Sequence, residues 1–139
     1  MEKITIFTDG AARGNPGPAA IGVQILDAKG KVLKEVSETI GNATNSYAEY
    51  FAVIRALQTC QEHFGKKTNK LQFEIKLDSE LVKKQLSNES QIKDISLIGH
   101  FIEIYNLRVE SFPNLTLTHL PREKNKNADR LVNKALDGA

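Results

Sequence analysis

Ile4, Ile6 and Thr8 alternate with Thr5 and Phe7 in a β-branched run that stops at Asp9-Gly10, the pattern of a strand running into a turn. Gly10, Gly14, Asn15-Pro16, Gly17-Pro18 and Gly22 then fall close together and predict a loop, after which Ile21, Val23, Ile25 and Leu26 resume as a second strand. Lys29-Gly30 marks a turn, and Val32, Val36 and Ile40 among polar neighbours predict a third strand over 32–40. These three strands are expected to be antiparallel, since their connections are short. Ser46, followed three residues later by Glu49, is a capping-box pattern that opens a long helix to Phe64. Its apolar residues lie nearly all round, so the helix should be buried on more than one side against the sheet.

Beyond Gly65, Leu71, Phe73, Ile75 and Leu77 alternate as a fourth strand, and Asp78-Ser79 leads into a short helix over 80–86. A second long helix is predicted over 92–109, with Ile95, Ile98, Ile102 and Tyr105 on its apolar face. Pro113-Asn114 turns into a fifth strand over 115–120, and Ala128, Leu131, Val132 and Ala135 set the period of a final helix over about 127–136. The order is β-β-β-α-β-α-α-β-α. Hairpin strands followed by strand–helix alternation predict an α/β fold: a five-stranded mixed sheet, three strands antiparallel and then two parallel, with helices on both faces.

Composition narrows the class without naming a chemistry. The 139 residues are 40% hydrophobic and 26% charged with a net charge of +2, which fits one globular domain over 1–139 and excludes collagenous, disordered and disulfide-scaffold proteins. The lone Cys60, inside an apolar helical pattern, is expected to be a buried thiol in a reducing compartment. No signal-peptide pattern and no run of about 18 apolar residues is present, so the expectation is a cytoplasmic protein with no membrane segment, and by default a monomer. Basic residues gather over 66–84 and 122–134, where solvated helix faces and phosphate contacts are equally good explanations.

Four acids stand out. Asp9 ends the first strand, Glu49 lies in the first turn of the buried helix, Asp78 ends the fourth strand, and Asp129 lies near the start of the last helix. Each has an ordinary structural use: turn dipeptide, capping box, N-cap, or partner of a helix dipole. Topology changes the weighing, because a helical crossover that returns the fourth strand beside the first would bring Asp9 and Asp78 out of the sheet together, with Glu49 nearby. Carboxylates within ~4 to 6 Å raise one another's pKa and need a compensating cation. Oxygen-only ligands select a hard ion, Mg²⁺ or Mn²⁺, and two such ions ~3.5 to 4 Å apart suit phosphodiester hydrolysis.

Four segments, Thr8-Asp9-Gly10-Ala11-Ala12-Arg13-Gly14-Asn15-Pro16-Gly17-Pro18, Thr44-Asn45-Ser46-Tyr47-Ala48-Glu49-Tyr50, Leu77-Asp78-Ser79-Glu80-Leu81-Val82 and His119 through Asp129, together resemble type 1 ribonuclease H. The resemblance runs from about Ile4 to Leu136 and implies an endonuclease that cuts the RNA strand of RNA–DNA hybrids, leaving 5′-phosphate and 3′-hydroxyl ends. It implies that Asp9, Glu49, Asp78 and Asp129 are the ligands of two Mg²⁺ or Mn²⁺ ions held with substrate. Asp9 would bridge both ions, Glu49 and Asp78 would hold the one beside the leaving oxygen, and Asp129 would help hold the other. It places Asn15 and Asn45 against the hybrid, with Gly10, Ala11, Arg13 and Gly14 beside them. His119 or Arg122 would serve product release, with Arg122 also a substrate contact.

The chain also departs from the family's pattern. Bacterial members often carry a basic, Trp-containing protrusion, whereas residues 86–104 hold Lys93 as their one Lys or Arg and the chain has no Trp. The hybrid is then left to Lys83, Lys84 and the charges over 122–134, with more salt-sensitive binding expected. Glu80 stands where a neutral amide is common. Two other functions remain open on sequence: a hybrid-binding module without catalysis, and a nuclease of the same fold acting on double-stranded RNA or branched DNA.

Overall fold

The computed structural model describes residues 2–138; Met1 and Ala139, the ends of the domain expected over 1–139, lie outside the described residues. Strands β1 (Lys3–Ala12), β2 (Gly17–Leu26), β3 (Val32–Ala43), β4 (Gln72–Leu77) and β5 (Leu115–His119) form one sheet in the order β3-β2-β1-β4-β5. The first three pair antiparallel, while β4 pairs parallel with both β1 and β5, as the connection lengths predict. Helices α1 (Asn45–Phe64), α2 (Glu80–Leu86), α3 (Ile98–Ser111) and α4 (Lys126–Asp137) complete the fold. No described helix is long and apolar enough to cross a membrane.

Alternation along β1 sorts side chains between two layers. Ile4 and Ile6 enter the main core with Val53, Leu57, Phe73 and Ile75, whereas Ala11 joins Ala20, Val132 and Leu136 beneath α4. Two glycines let a helix come close on each face: a Cβ on Gly10 would run into the Ala48 backbone of α1, and one on Gly22 into the Ala128 carbonyl of α4. Helix α1 is buried as its all-round apolar pattern predicts, and Cys60 is fully buried with its thiol pushed up to about 12 by that burial. A thiol so placed is chemically inert.

Several boundaries differ from the sequence expectation for identifiable reasons. The predicted loop over 10–22 shrinks to residues 13–16, because Gly10, Gly17, Pro18 and Gly22 are absorbed into an extended β1–β2 hairpin closed by the Arg13 N–H to Pro18 carbonyl bond at 2.8 Å. The N-cap of α1 is Thr44, whose Oγ1 accepts from the Tyr47 N–H at 3.2 Å, so Ser46 is already inside the helix and Glu49 is not part of a capping box. Likewise Ser79, not Asp78, caps α2, accepting from the Val82 N–H at 3.2 Å.

Helix α3 is the largest departure. It starts at Ile98, preceded by a 3-10 turn over Ile95–Leu97, and the face predicted to be inward is the outward one. Ile95, Ile98, Ile102 and Tyr105 are 81%, 43%, 51% and 58% exposed, while Leu97, Ile104 and Phe112 are buried. A helix apolar on two sides offers periodicity two solutions, and here packing against α1 and the β4 side of the core selected the other.

The glycine contacts generate a stability test. Gly22→Ala should destabilise the protein by about 1–3 kcal/mol through overpacking against α4. Gly99→Ala, at an exposed helical position with open space around it, should stabilise by a few tenths to about 1 kcal/mol. Urea unfolding of both variants checks the pair, and equal effects would refute the packing argument.

Candidate active site

Parallel pairing of β1 with β4 puts Thr8 opposite Leu77; β4 ends there, so Asp78 leaves the sheet beside Asp9, which stays in β1 paired with Gly22 of β2. Glu49 arrives from the first turns of α1, which packs on β1, and Asp129 from the first turn of α4 on the other face. Asp9 is 6% exposed, and its Oδ2 is buried without a hydrogen-bond partner. Its carboxyl is pushed up to about 8, first by burial and then by the negative charges of Asp78, Asp129 and Glu49. Asp9 therefore senses all three other acids. Glu49 is pushed up to about 7, again chiefly by burial with Asp78 adding to it, while the neighbouring Ser79 side chain and Arg122 guanidinium pull it down.

Asn125 is a participant that sequence reasoning passed over. It is 0% exposed, and its Nδ2 donates to the Thr8 carbonyl at 2.9 Å and to Asp78 Oδ2 at 3.2 Å. It sits four residues before Asp129, whose N–H donates back to the Asn125 carbonyl at 3.1 Å. Position in the motif was visible in sequence; complete burial of an amide was not. Asn133, one turn beyond Asp129, donates to Asp129 Oδ2 at 3.4 Å.

The expected substrate contacts gather at the β1–β2 hairpin. Asn15 Oδ1 accepts from the Asn45 N–H at 3.0 Å, and Asn45 Oδ1 accepts from the Ala12 N–H at 2.7 Å. Backbone donors thus fix both amide orientations. Among the described residues neither Nδ2 group has a partner, so two donors are presented from this corner. Gly14 holds a φ of +95° in the turn. Gly10 serves helix packing and the Ala11 methyl is turned to α4, so at these two positions the backbone is what remains for a ligand. Arg13 is exposed and paired with Asp137 at 2.6 Å.

His119 ends β5 opposite Leu77, exposed, where its charge reaches Glu80; Arg122, in the turn that follows, reaches Glu49. The basic residues expected to meet phosphates are in part already paired: Lys83 with Glu89 at 2.9 Å, Lys84 with Glu80 at 2.8 Å, and Arg130 with Glu35 at 3.0 Å. Arg122, Lys124, Lys126 and Lys134 have no ion pair among the described residues.

Two observations bear on whether the acids could hold a cation. Among the described residues no three His, Cys, Asp or Glu side chains already stand in ligand geometry. Against this, the donor set is all oxygen, and the buried, unpartnered Asp9 Oδ2 is an acceptor facing three further carboxylates' charge. The four carboxylates arrive from two strands and two helices, and an all-oxygen set beside an unpartnered buried acceptor fits a hard divalent ion.

Comparison with known proteins places this geometry. A family model described as reverse transcriptase-like matches residues 7–135. Ribonuclease HI of Halobacterium salinarum is 39% identical over 137 residues, covering 99% of this chain and 66% of its own length. The structure of LC11-RNase H1, isolated from compost by a metagenomic approach, superposes with a TM-score of 0.94 at 49% identity, covering 99% of this chain and 98% of that one. The chain belongs to the type 1 ribonuclease H family. A crystal structure of LC11-RNase H1 in complex with an RNA/DNA hybrid matches at 48% identity and a TM-score of 0.93, covering 97% of each chain. The chain spans just under two thirds of the halobacterial relative, and 36% of a bifunctional Mycobacterium tuberculosis relative that is 35% identical over 138 residues, 99% of this chain.

The raised carboxyls of this family member have a stability consequence. Asp9 and Glu49 bind their protons more tightly folded, at about 8 and 7, than unfolded, near 3.8 and 4.5. Their contribution is fully present below pH ~4 and lost as pH rises through 7 to 8. Urea unfolding in chelator should therefore show stability falling from pH 5.5 to 8.5, with a shallower fall in Asp9→Asn. An unchanged slope in that variant would show that Asp9 is not a source of it.

Proposed function

We propose that this chain is an endonuclease that hydrolyses the RNA strand of RNA–DNA hybrids in a divalent-metal-dependent reaction. The observation that carries the reading is Asp9: an acid buried at the end of β1, one oxygen unpartnered, under the charge of three other acids, in a chain whose near relative has been crystallised on a hybrid. Such an arrangement is costly for stability alone and is explained by a bound cation and a phosphate. Asp9, Glu49, Asp78 and Asp129 would hold two Mg²⁺ or Mn²⁺ ions. When bound, these supply Lewis acidity toward the phosphoryl oxygens and a hydroxide nucleophile at neutral pH.

The chain's own groups do the rest. The free Nδ2 donors of Asn15 and Asn45, with the backbone of Gly10, Ala11 and Gly14, would meet the sugar edge of the RNA strand, where a 2′-hydroxyl accepts what a deoxyribose cannot. Arg13, Arg122, Lys124, Lys126 and Lys134 would track the backbone phosphates, and the existing surface ion pairs of Lys83, Lys84 and Arg130 are weak enough to be exchanged for them. Arg122, beside Glu49, and His119, beside Glu80, stand where a product phosphate would leave. Attack of water on phosphorus with cleavage of the bond to the 3′-oxygen leaves 5′-phosphate and 3′-hydroxyl ends.

Cleavage of a labelled hybrid, with single-stranded RNA, double-stranded RNA and DNA duplex alongside, in Mg²⁺, Mn²⁺ and chelator, tests the proposal. Cutting confined to the RNA strand of the hybrid, lost in chelator and reduced about 100-fold or more by Asp78→Asn with the fold intact by circular dichroism, is expected. Wild-type rates in Asp78→Asn would overturn the ligand assignment. A folded wild-type protein that binds hybrid without cutting any substrate would instead be a binding module.

A further inference from the structure

The four acids come from four separate places, namely β1, the end of β4 and the first turns of α1 and α4, and hydrogen bonding across them centres on one side chain. We propose that Asn125 is the positioning residue of the metal site: its amide orients the Asp78 carboxylate and locks it to the end of β1. The inference rests on the reading of the four acids as metal ligands.

Asn125 is completely buried in the turn before α4. Its Nδ2 makes two bonds at once, to the carbonyl of Thr8, the residue before Asp9, at 2.9 Å and to Asp78 Oδ2 at 3.2 Å. The two partners are both acceptors, so the amide can stand only with its nitrogen toward them. Its own carbonyl receives the Asp129 N–H at 3.1 Å, and its N–H donates to the Arg122 carbonyl at 2.9 Å. One residue thereby ties together the carriers of Asp9, Asp78 and Asp129 and the turn that carries Arg122.

A purely structural role would have been met at lower cost. Asn125 Oδ1 is buried with no partner, an unfavourable placement in a protein interior. A leucine has the same branched outline, with bulkier methyl ends, and would leave neither that acceptor nor the amide donors there. What leucine cannot do is donate to the Thr8 carbonyl and to Asp78, and a carboxylate that accepts a fixed donor through one oxygen has its other oxygen aimed. Outer-shell donors of this kind typically change metal affinity or activity 10- to 100-fold when removed.

The test compares wild type with Asn125→Leu and Asn125→Ala, each assayed well below its own thermal transition. Isothermal calorimetry with Mn²⁺ alone should show affinity lowered about 10- to 100-fold in both variants. In hybrid cleavage, kcat should fall by a similar factor with KM for hybrid within about threefold, and the loss should be partly recovered at high Mn²⁺. The inference is overturned if Mn²⁺ affinity and kcat per folded molecule stay within about twofold of wild type, whatever happens to the melting temperature. Leucine keeps the branched outline with bulkier ends and alanine removes it, so a folding failure confined to one of the two leaves the comparison intact. Should wild type cut no substrate at all, the proposed activity fails on its own, and the calorimetric arm still decides on Asn125.

Discussion

Everything at the functional end of this molecule depends on holding like charges together. Four carboxylates converge at one end of the sheet, and the most buried of them, Asp9, carries the electrostatic cost in a proton affinity raised to about 8. Nothing covalent keeps the group assembled. The offset comes from the parallel β1–β4 pairing, which sets Asp9 and Asp78 in register, and from burial of Ile4, Ile6, Phe73 and Ile75 behind them. Gly10 and Gly22 extend the same solution to both faces: by lacking side chains they let α1 and α4 approach until Glu49 and Asp129 reach the same end. Small changes in backbone packing are therefore changes in charge spacing, and core and site cannot be altered independently.

Much of this was legible in the sequence because it follows from short-range pattern. Short-range apolar pattern and turn signals identified all five strands, and the connection lengths separated the antiparallel hairpins from the parallel crossover, which made the Asp9–Asp78 juxtaposition conditional only on the first and fourth strands being neighbours. The illegible parts have a common origin in tertiary choice. Capping chemistry pointed to Ser46 and Asp78, whereas the fold caps with Thr44 and Ser79, which leaves the neighbouring acids free of backbone duty. Helix α3 presented two apolar faces, and periodicity has no means to rank them. Asn125 looked like a loop polar residue and proved to be completely enclosed, because burial of an amide depends on which acceptors other elements bring to it.

The charged surface adds a second level of control. Lys83, Lys84, Arg13 and Arg130 are each matched to a carboxylate, so part of the basic surface is already engaged. Exposed pairs contribute little to stability and exchange readily for phosphate, but each exchange releases a carboxylate that stays close to the incoming strand. On the proposed reading, association is salt-sensitive and discrimination comes from contacts that are specific in shape.

Those contacts are built into the same strand that carries Asp9. Asn45 is fixed by the Ala12 N–H at the far end of β1, and Asn15 is fixed by the N–H of Asn45 itself, so the two free amide donors are set by the hairpin three to six residues beyond the acid. A shift of β1 along its length would move the nucleotide-facing amides and the buried carboxylate together, preserving their spacing. A shift of β2 against β1 would disturb the amides and Asp9 alike, because Asp9 pairs with Gly22 of β2. On the proposed reading, substrate selection and phosphate chemistry are thus coupled through β1 and its antiparallel pairing with β2.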